Sequence, residues 1–289
     1  MSDVAPRLLG ARRVLELLTA HGIRPQKALG QNFVIDPNTV RKVVRAAALR
    51  PEDRVLEIGA GIGSLTLGLA TAAEKVAAVE VDEQLVPILR AVLEATENVT
   101  VLVGDALELD LRTIDVTRLV ANLPYRVAAQ IVLRALEEAP QIEELTVMTQ
   151  REVAERLAAP PGSGSYGLTS VLVAYWGRAE VAASVSRRAF YPVPNVDSAV
   201  VKIVRRPVPE GDRAFLFDVV RGAFSQRRKT LRNALATLVG SADAAAAAVE
   251  KTGLSPSARG EELSLDDFVA LAGELAYTLA PPPSLRRST

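Results

Sequence analysis

The chain has 289 residues, which is long enough for a main domain and a smaller second one. Lysine and arginine (34) balance aspartate and glutamate (34), so net charge does not indicate a nucleic-acid partner. With no cysteine and one histidine, His21, the composition excludes disulfides, zinc–thiolate sites and multi-histidine metal sites, and we expect no metal. No apolar run reaches the roughly 18 residues of a membrane span. The composition favours a globular protein of the reducing cytoplasm, away from membranes.

From Arg54 to Met148, short β-rich runs alternate with helical patterns, which predicts βαβ units and a parallel sheet with helices on both faces. The candidate strands are 54–58, 75–81, 99–103, 119–121, 145–148, 178–186 and 198–205, and the candidate helices are 65–72, 83–95, 128–138 and 166–177. Prolines and a glycine at 207–211 form a linker, and the pattern from Asp212 is helical. We therefore predict an α/β, Rossmann-like domain at residues 26–207 and a small all-α C-terminal domain at 208–280. Residues 1–25 are expected to be a partly disordered extension, and 281–289 a disordered tail.

A glycine-rich turn, EIGAGIG, follows the first predicted strand at residues 57–63. Glycines let the backbone turn sharply and approach a ligand closely. The G-x-G-x-x-G fingerprint of dinucleotide-binding loops fails in both registers, because serine or threonine stands where the third glycine is required. The remaining E-x-G-x-G-x-G pattern, with Glu57, Gly59 and Gly61, resembles the cofactor loop of class I methyltransferases. A generic strand–helix turn is the alternative.

Carboxylates end or follow the next two predicted strands. Glu80 lies about 20 residues after the glycine loop, where an acid can accept both ribose hydroxyls of an adenosine. Asp105 follows the third strand, where it can accept the exocyclic amine of an adenine. Each of them alone would be read as a solvated carboxylate at a strand end. Together with the glycines, and without a phosphate cradle, they predict a site for S-adenosylmethionine.

The fourth predicted strand is followed by Asn122, Leu123, Pro124 and Tyr125. Adenine N6 is a poor nucleophile because its lone pair is delocalised into the ring. The amide oxygen of Asn122 and the carbonyl of Leu123 can accept hydrogen bonds from N6, Pro124 stiffens the turn, and Tyr125 offers a flat face for an extruded base. In-line methyl displacement depends mainly on positioning and electrostatics, so no strong general base is required. An ordinary β-turn is the alternative.

Four segments in order resemble the small-subunit rRNA adenine dimethyltransferase family: LGQNF at 29–33, EIGAG at 57–61, NLPY at 122–125 and FYPVPNVDS at 190–198. The resemblance implies a class I methyltransferase fold in which the GQNF segment folds over the cofactor. It assigns cofactor contacts to Gln31, Asn32 and the backbone of Val34, where the family usually has leucine. Asn122 is predicted to contact the cofactor as well. It also implies that Phe190 and Tyr125 sandwich the target adenine; a hydrophobic loop anchor is the alternative for Phe190.

Residues 221–232, RGAFSQRRKTLR, contain five basic residues and no acid. The apolar residues that repeat at helical spacing in this region are absent from the turn that carries Arg227 and Arg228, so these two side chains should point outward. A charge run is usually a solvated face, but this one resembles the family's segment at the same place. We predict RNA contacts, which supply affinity and register, from Arg221, Arg227, Arg228, Lys229 and Arg232.

The resemblance implies an enzyme that dimethylates N6 of two adjacent adenosines near the 3′ end of 16S rRNA. Its partner would be the small (30S) ribosomal subunit precursor, and it would act as a cytoplasmic monomer. One alternative is the related methyltransferase of large-subunit (23S) rRNA that confers macrolide resistance; the extended C-terminal region and the SQRRK segment favour the first. A DNA adenine methyltransferase is disfavoured because its [ND]-P-P-Y pattern is absent. A non-catalytic binding factor of the same fold should have lost the glycine loop or NLPY, and both are intact.

Overall fold

The computed structural model describes residues 7–26, 30–226 and 229–279, which form two compact units. The first unit comprises the described residues up to Ala158 together with Gly177–Arg206, and the second comprises Ala159–Trp176 and the described residues from Pro207 onward. The sequence predicts a boundary only at 208. Residues 159–176 belong to the second unit because Val171 and Tyr175 are buried in its core. No helix within the described ranges is long and apolar enough to cross a membrane.

The first unit contains both the strands and the helices that flank them. Its strands are β1 (Phe33–Val34), β2 (Arg54–Ile58), β3 (Lys75–Glu80), β4 (Val99–Val103), β5 (Arg118–Asn122), β6 (Glu144–Gln150), β7 (Gly177–Val185), β8 (Phe190–Tyr191) and β9 (Ser198–Arg205). Its helices are α1 (Ala11–Ala20), α2 (Pro37–Ala47), α3 (Ser64–Ala70), α4 (Val86–Val92), α5 (Ala128–Glu138) and α6 (Arg151–Leu157). Helix α1 lies in the predicted extension and buries Val14, Leu17 and Leu18 in a hydrophobic cluster. Part of that extension is therefore an ordered helix.

Among the described residues, seven strands form one sheet in the order β4-β3-β2-β5-β6-β9-β7. The strands from β4 to β6 are parallel, and β9 runs antiparallel to both β6 and β7. Strands β1 and β8 form a separate antiparallel pair. The strand order reverses between β2 and β5, and open α/β sheets bind ligands beyond the carboxyl ends of strands at such a point. The predicted α/β sheet is confirmed, and its topology brings the segments after β2, β3, β4 and β5 to one edge.

Local sequence explains why these elements form where they do. Asp36 caps α2 by accepting hydrogen bonds from the backbone of Asn38 and Thr39, and Pro37 occupies the first helical turn. The central strand β2 is buried over Val55–Ile58, as expected for a strand covered on both faces. Glu57 is the charged residue in that run, and its carboxyl group is therefore carried into the interior.

The second unit forms no strand within its described residues. Its helices are α7 (Leu168–Trp176), α8 (Arg213–Phe224), α9 (Leu231–Ala234), α10 (Ala236–Val239), α11 (Ala242–Lys251) and α12 (Leu265–Leu279). The core of the second unit contains Phe217, Val220, Leu231 and Leu235. These apolar residues recur at spacings that fit a helix, which predicts that they are buried together. This hydrophobic stripe does not lie on one continuous helix, because α8 ends at Phe224, within the basic segment of residues 221–232.

Candidate active site

The glycine loop bends over the carboxyl ends of β2 and β3. Gly59 and Gly61 have φ angles of 76° and 60°, in the left-handed region that favours glycine. The Gly59 N–H donates to the Val79 carbonyl oxygen at 2.9 Å, and the Gly61 N–H donates to Oε2 of Glu80 at 2.6 Å. These hydrogen bonds hold the loop against the end of β3.

Glu80 therefore holds the glycine loop in place, and its side chain also lines a cavity at this edge of the sheet. Its second carboxylate oxygen, Oε1, accepts the Asp82 N–H at 2.9 Å. Burial raises the pKa of Glu80, and the backbone N–H groups of Asp82 and Gly61 act in the opposite direction. A carboxylate oxygen can accept more than one hydrogen bond, so these contacts leave acceptor capacity for ribose hydroxyls.

The GQNF segment is tied to the end of β3 by Asp82, a residue that the sequence analysis did not single out. The Gln31 Nε2 donates to Oδ2 of Asp82 at 2.6 Å, and Gln26 Nε2 donates to the same oxygen at 3.3 Å. The Gln31 Oε1 accepts the Gln26 N–H at 2.8 Å. Gln31 thus anchors the segment with both ends of its amide. The signal for Asp82 was its position two residues after Glu80, at the same strand end. Leu29, the first residue of the motif, lies outside the described residues.

The GQNF and NLPY motifs, distant in sequence, pack against each other. A Cβ atom at Gly30, which has a φ of 66°, would lie 3.3 Å from the Cβ of Pro124, so a side chain there would press on the NLPY turn. Asn32 donates from Nδ2 to the Gly30 carbonyl oxygen at 3.0 Å, and the Val34 side chain is buried. The segment from 30 to 34 therefore forms one wall over the end of β5.

Asn122 ends β5 with a buried acceptor that lacks a donor. Its Nδ2 donates to the Asn32 carbonyl oxygen at 3.3 Å, which directs the amide. Its Oδ1 is buried and has no hydrogen-bond partner in the described part of the chain. The backbone of Leu123 is held by its N–H, which donates to the Met148 carbonyl oxygen at 2.9 Å. Buried polar atoms nearly always have a partner, so Oδ1 marks a position for a ligand donor.

Two adjoining cavities lie along this edge of the sheet. One, of about 90 Å³, is lined by Glu57, Ser64, Glu80, Asn122 and Tyr125. The other, of about 400 Å³, is lined by Asp105, Leu107, Val127 and Ile131. Gly30, Gly59, Val81 and Pro124 line both. Within the described residues, Oε2 of Glu57 and Oγ of Ser64 are also buried without partners. Three buried polar atoms without partners in the described residues thus belong to side chains that line the cavity where the sequence predicts a cofactor.

The carboxyl group of Glu57 lies in this setting with 1% of its surface exposed. Burial raises its pKa to about 8; the Thr66 hydroxyl opposes the shift and the charge of Glu80 adds to it. Glu57 is therefore mostly protonated near neutral pH when no cation is bound.

Tyr125 is half-buried, and its hydroxyl group forms a 2.8 Å hydrogen bond with Oγ of Ser198. Burial raises the pKa of Tyr125, and the Ser198 hydroxyl acts in the opposite direction. Ser198, the last residue of the FYPVPNVDS motif, thereby anchors the aromatic ring of the NLPY motif. No sequence signal beyond motif membership indicated this partnership.

The structure places Phe190, which is predicted to sandwich the target base, in the hydrophobic core. The Phe190 side chain is 0% exposed and packs in a hydrophobic cluster with Val34, Val185 and Val200. Strand pairing places Val34 opposite Phe190 and leaves the next residue, Tyr191, 38% exposed. Because the ring fills the core, it cannot also offer a face to a base in this arrangement. This burial favours the alternative of a hydrophobic loop anchor, and the base-stacking role of Phe190 stays a prediction.

Of the predicted RNA-contacting residues that the structure describes, Arg221 lies in α8, Arg232 lies in α9, and Lys229 lies on the connection between them, in the second unit. Arg221 forms an ion pair with Asp218 at 3.0 Å, and Arg232 forms one with Asp243 at 2.7 Å. Both acids lie outside the acid-free segment in sequence and are brought to it by the fold. Lys229 is exposed, and Arg227 and Arg228 lie outside the described residues.

Comparisons with known proteins agree with this geometry. Residues 23–276 match the family of ribosomal RNA adenine dimethylases. Ribosomal RNA small subunit methyltransferase A of Streptomyces avermitilis is 48% identical over 282 residues, covering 94% of this chain and 96% of its own length. The protein of the same name from Kineococcus radiotolerans is 48% identical over 276 residues, covering 92% and 91%.

Solved structures share the fold. The crystal structure of a dimethyladenosine transferase from Plasmodium falciparum matches with a TM-score of 0.73 and 25% identity, over 84% of this chain and 97% of that one. The 23S rRNA methyltransferase ErmE matches with a TM-score of 0.68 and 29% identity, over 85% and 100%. Fold and site together define a class I methyltransferase. The chain belongs to the ribosomal RNA adenine dimethylase family and is an rRNA adenine methyltransferase.

Proposed function

We propose that this enzyme transfers methyl groups from S-adenosylmethionine to N6 of two adjacent adenosines near the 3′ end of 16S rRNA, within small (30S) ribosomal subunit precursors. The observation that carries the proposal is Oδ1 of Asn122, a buried acceptor that no donor among the described residues reaches, at the cavity that Tyr125 also lines. An exocyclic amine supplies the missing donor, and adenine N6 is such an amine. Acting on ribosomal precursors, the enzyme would work in the cytoplasm, as a monomer.

The residues along the sheet edge fit S-adenosylmethionine in both charge and hydrogen-bonding capacity. The unpartnered oxygens of Glu57 and Ser64 would hold the amino-acid end, Glu80 the ribose, and Asp105 the adenine amine. Three carboxyl groups suit a ligand that carries a sulfonium and an ammonium charge. When bound, S-adenosylmethionine supplies an electrophilic methyl group on a positively charged sulfur.

The chain's own residues would prepare N6 for attack by positioning it. Because Asn32 holds Nδ2 of Asn122, the acceptor Oδ1 keeps a defined direction. A hydrogen bond from N6–H to Oδ1, joined by one to the Leu123 carbonyl, draws the nitrogen out of conjugation with the ring. The N6 lone pair then forms a bond to the methyl carbon while the carbon–sulfur bond breaks, and the extra N6 proton leaves to water. Positioning and preorganised dipoles supply the acceleration.

A second transfer to the same nitrogen is compatible with this site. After the first methylation, N6 retains one hydrogen, which is enough for the hydrogen bond to Oδ1 of Asn122. Tyr125, anchored by Ser198, would keep the base plane in place during both transfers. The site therefore needs no second acceptor to reach the dimethylated product.

RNA binding by the second unit completes the proposal. Lys229 is exposed, and the ion pairs of Arg221 and Arg232 are largely accessible to solvent, so phosphates could compete with Asp218 and Asp243 for them. In the first unit, a cleft of about 1130 Å³ is lined by Arg7, Arg12, Arg13, Arg41 and Arg45. Both surfaces suit the phosphate backbone.

The small-subunit substrate is favoured over the large-subunit one by similarity. Relatives named small subunit methyltransferase A are 48% identical over more than nine-tenths of the chain, against 29% for the 23S rRNA enzyme. A non-catalytic binding factor would have no need of the arrangement at Asn122, Glu80 and the glycine loop. The enzymatic assignment on small-subunit rRNA is therefore the stronger one.

The test is transfer of labelled methyl from S-adenosylmethionine to purified, undermethylated small ribosomal subunits, with large-subunit RNA in parallel. We expect N6,N6-dimethyladenosine in the small-subunit RNA alone, at two adjacent positions near its 3′ end. Label in the large-subunit RNA alone would establish the resistance-type alternative. Absence of label from both, with cofactor binding intact, would establish a binding factor.

A further inference from the structure

The turn that follows β4 is held by an arginine on α5. Arg134 donates from Nη1 to the carbonyl oxygen of Ala106 and from Nη2 to that of Leu109, the latter at 2.7 Å. Its side chain is 17% exposed, so these hydrogen bonds are largely shielded from water. Two carbonyl groups of one turn are therefore held by one guanidinium group.

The direction of the guanidinium group is set within α5 itself. Its Nε lies 2.9 Å from Oε2 of Glu138, one helical turn further on. With Nε directed to Glu138, the two terminal nitrogens face the turn as a planar fork. Lysine has one compact ammonium group on a flexible stem and cannot reproduce this geometry. The contact thus depends on arginine and not on positive charge alone.

The turn held by Arg134 carries Asp105, the residue assigned to the cofactor's adenine. Oδ1 of Asp105 accepts the Leu107 N–H at 2.8 Å, so the carboxylate is part of the same turn. Asp105, Ala106 and Leu107 line one side of the cavity of about 400 Å³, and Val127 and Ile131 line another. Ile131 belongs to α5, the helix that also carries Arg134. The hydrogen bonds of Arg134 therefore set the spacing between this turn and α5, on two sides of the cavity.

We propose that Arg134 is a positioning residue that selects a 6-amino purine in the cofactor by fixing the turn 105–109. With the turn held, the Asp105 carboxylate meets an amino group at purine C6 and opposes a carbonyl oxygen there. Released from Arg134, the turn can relax, and the carboxylate is no longer obliged to face C6. This inference rests on the proposed S-adenosylmethionine site, and its test separates the two.

The experiment measures the dissociation constants of two unreactive thioether ligands by calorimetry: S-adenosylhomocysteine and its inosine counterpart, which carries oxygen in place of the 6-amino group. For the wild-type chain we expect the adenosyl ligand to bind at least roughly a hundredfold more tightly. Arg134→Gln should weaken the adenosyl ligand by about tenfold and reduce the ratio of the two constants by a similar factor. Arg134→Lys, which keeps the charge, should fall between. Methyl transfer at saturating cofactor should change by less than about threefold, because N6 of the RNA base contacts other residues.

The matched control is Arg112→Gln, which removes an exposed arginine paired with Asp110, on the same connection between β4 and β5. It should leave both constants unchanged. Arg134 would be a merely structural link if its variants lowered the melting temperature but kept the wild-type ratio, or weakened both ligands equally. If Arg134→Gln does not fold, the ratio for Arg134→Lys decides. An Asp105→Asn variant that still prefers the adenosyl ligand as strongly as wild type would instead overturn the cofactor assignment itself.

Discussion

The hydroxyl groups of Tyr125 and Ser198 lie 2.8 Å apart and join two motifs that are separated by 73 residues in the chain. Tyr125 belongs to the turn after β5, and Ser198 begins β9. Ser198 is fully buried, so its hydroxyl group has few alternatives to this partner. The hydrogen bond fixes the aromatic ring of Tyr125, which lines the smaller cavity together with Asn122.

Ser198→Ala should reduce methyl transfer to RNA while leaving the dissociation constant of S-adenosylmethionine unchanged. The buried Tyr125 hydroxyl loses its partner, which should lower the free energy of unfolding by about 1–2 kcal/mol. A double-mutant cycle with Tyr125→Phe should give a coupling energy of about 0.5–1.5 kcal/mol, from chemical denaturation. Additive effects would show that the two hydroxyl groups do not support each other.

Asn122→Ala should lower the rate of methyl transfer by at least about a hundredfold, because it removes the acceptor that orients N6. Cofactor affinity, measured by calorimetry, should change little. Asn122→Asp serves as a second variant, since it keeps an acceptor but cannot donate to the Asn32 carbonyl oxygen. It should retain more activity than alanine only if the acceptor matters more than the anchor. Loss of cofactor binding in both variants would assign Asn122 to the cofactor instead.

Phe190→Ala should act on stability and not on base recognition. Removing a fully buried phenyl ring should lower the free energy of unfolding by about 3–5 kcal/mol. Phe190→Leu, which refills most of the space, should keep most of the transfer rate below its melting temperature. Tyr191→Ala, at the exposed neighbouring position, is the control and should leave stability nearly unchanged. A well-folded Phe190→Leu enzyme that has lost its RNA-dependent activity would restore the base-stacking role.

Glu57 should make stability depend on pH. Its pKa of about 8 in the folded chain exceeds the ordinary value of 4.5, so the unfolded chain binds fewer protons at pH values between these two. Stability should therefore fall as pH rises through this window, with a slope of up to about 1.4 kcal/mol per pH unit, and the loss should level off above pH 8.

Glu57→Gln isolates this effect, because glutamine resembles the protonated acid and does not titrate. Denaturation at about pH 6 and about pH 8 should show a smaller loss of stability for the variant than for wild type. Parallel pH profiles for the two proteins would mean that the Glu57 carboxyl is ionised in the fold. The cationic cofactor should favour the ionised form, so its binding near neutral pH should release a proton.

Neutralising Arg227, Arg228 and Lys229 together should weaken RNA binding and flatten its dependence on salt. Each phosphate contact that is lost should reduce the slope of log affinity against log salt by roughly one. Glutamine substitutions at Lys75, Arg112 and Arg156 remove the same charge from the first unit and serve as the control. Equal slopes for the two triple variants would make the C-terminal segment an ordinary solvated face.

The class of sheet could be predicted from the sequence, and so could a set of candidate site residues that this sheet brings to one edge. Strands β2, β4 and β9 and helix α5 have the bounds that their patterns predict. Buried strands such as β2 and β9 and amphipathic helices such as α5 leave strong signals in the sequence. The glycine loop, Glu80, Asp105 and NLPY could be placed at one edge since parallel strands end together. The short strands β1 and β8, of two residues each, left no such signal.

Which side chains meet, and which are buried in the core, depends on contacts between segments that are distant in the chain. Phe190 and Tyr191 are adjacent aromatic residues of one motif, and pairing with β1 alone determined that Phe190 is the buried one. From the sequence, Arg134 is a charged residue on the polar face of a predicted helix. In the structure it donates a hydrogen bond to a backbone carbonyl of the turn after β4. Asp82 and Ser198 likewise gained their roles from residues 51 and 73 positions away. Such contacts form because the sheet brings distant segments of the chain together, and the local periodicity of the sequence does not encode which segments pair.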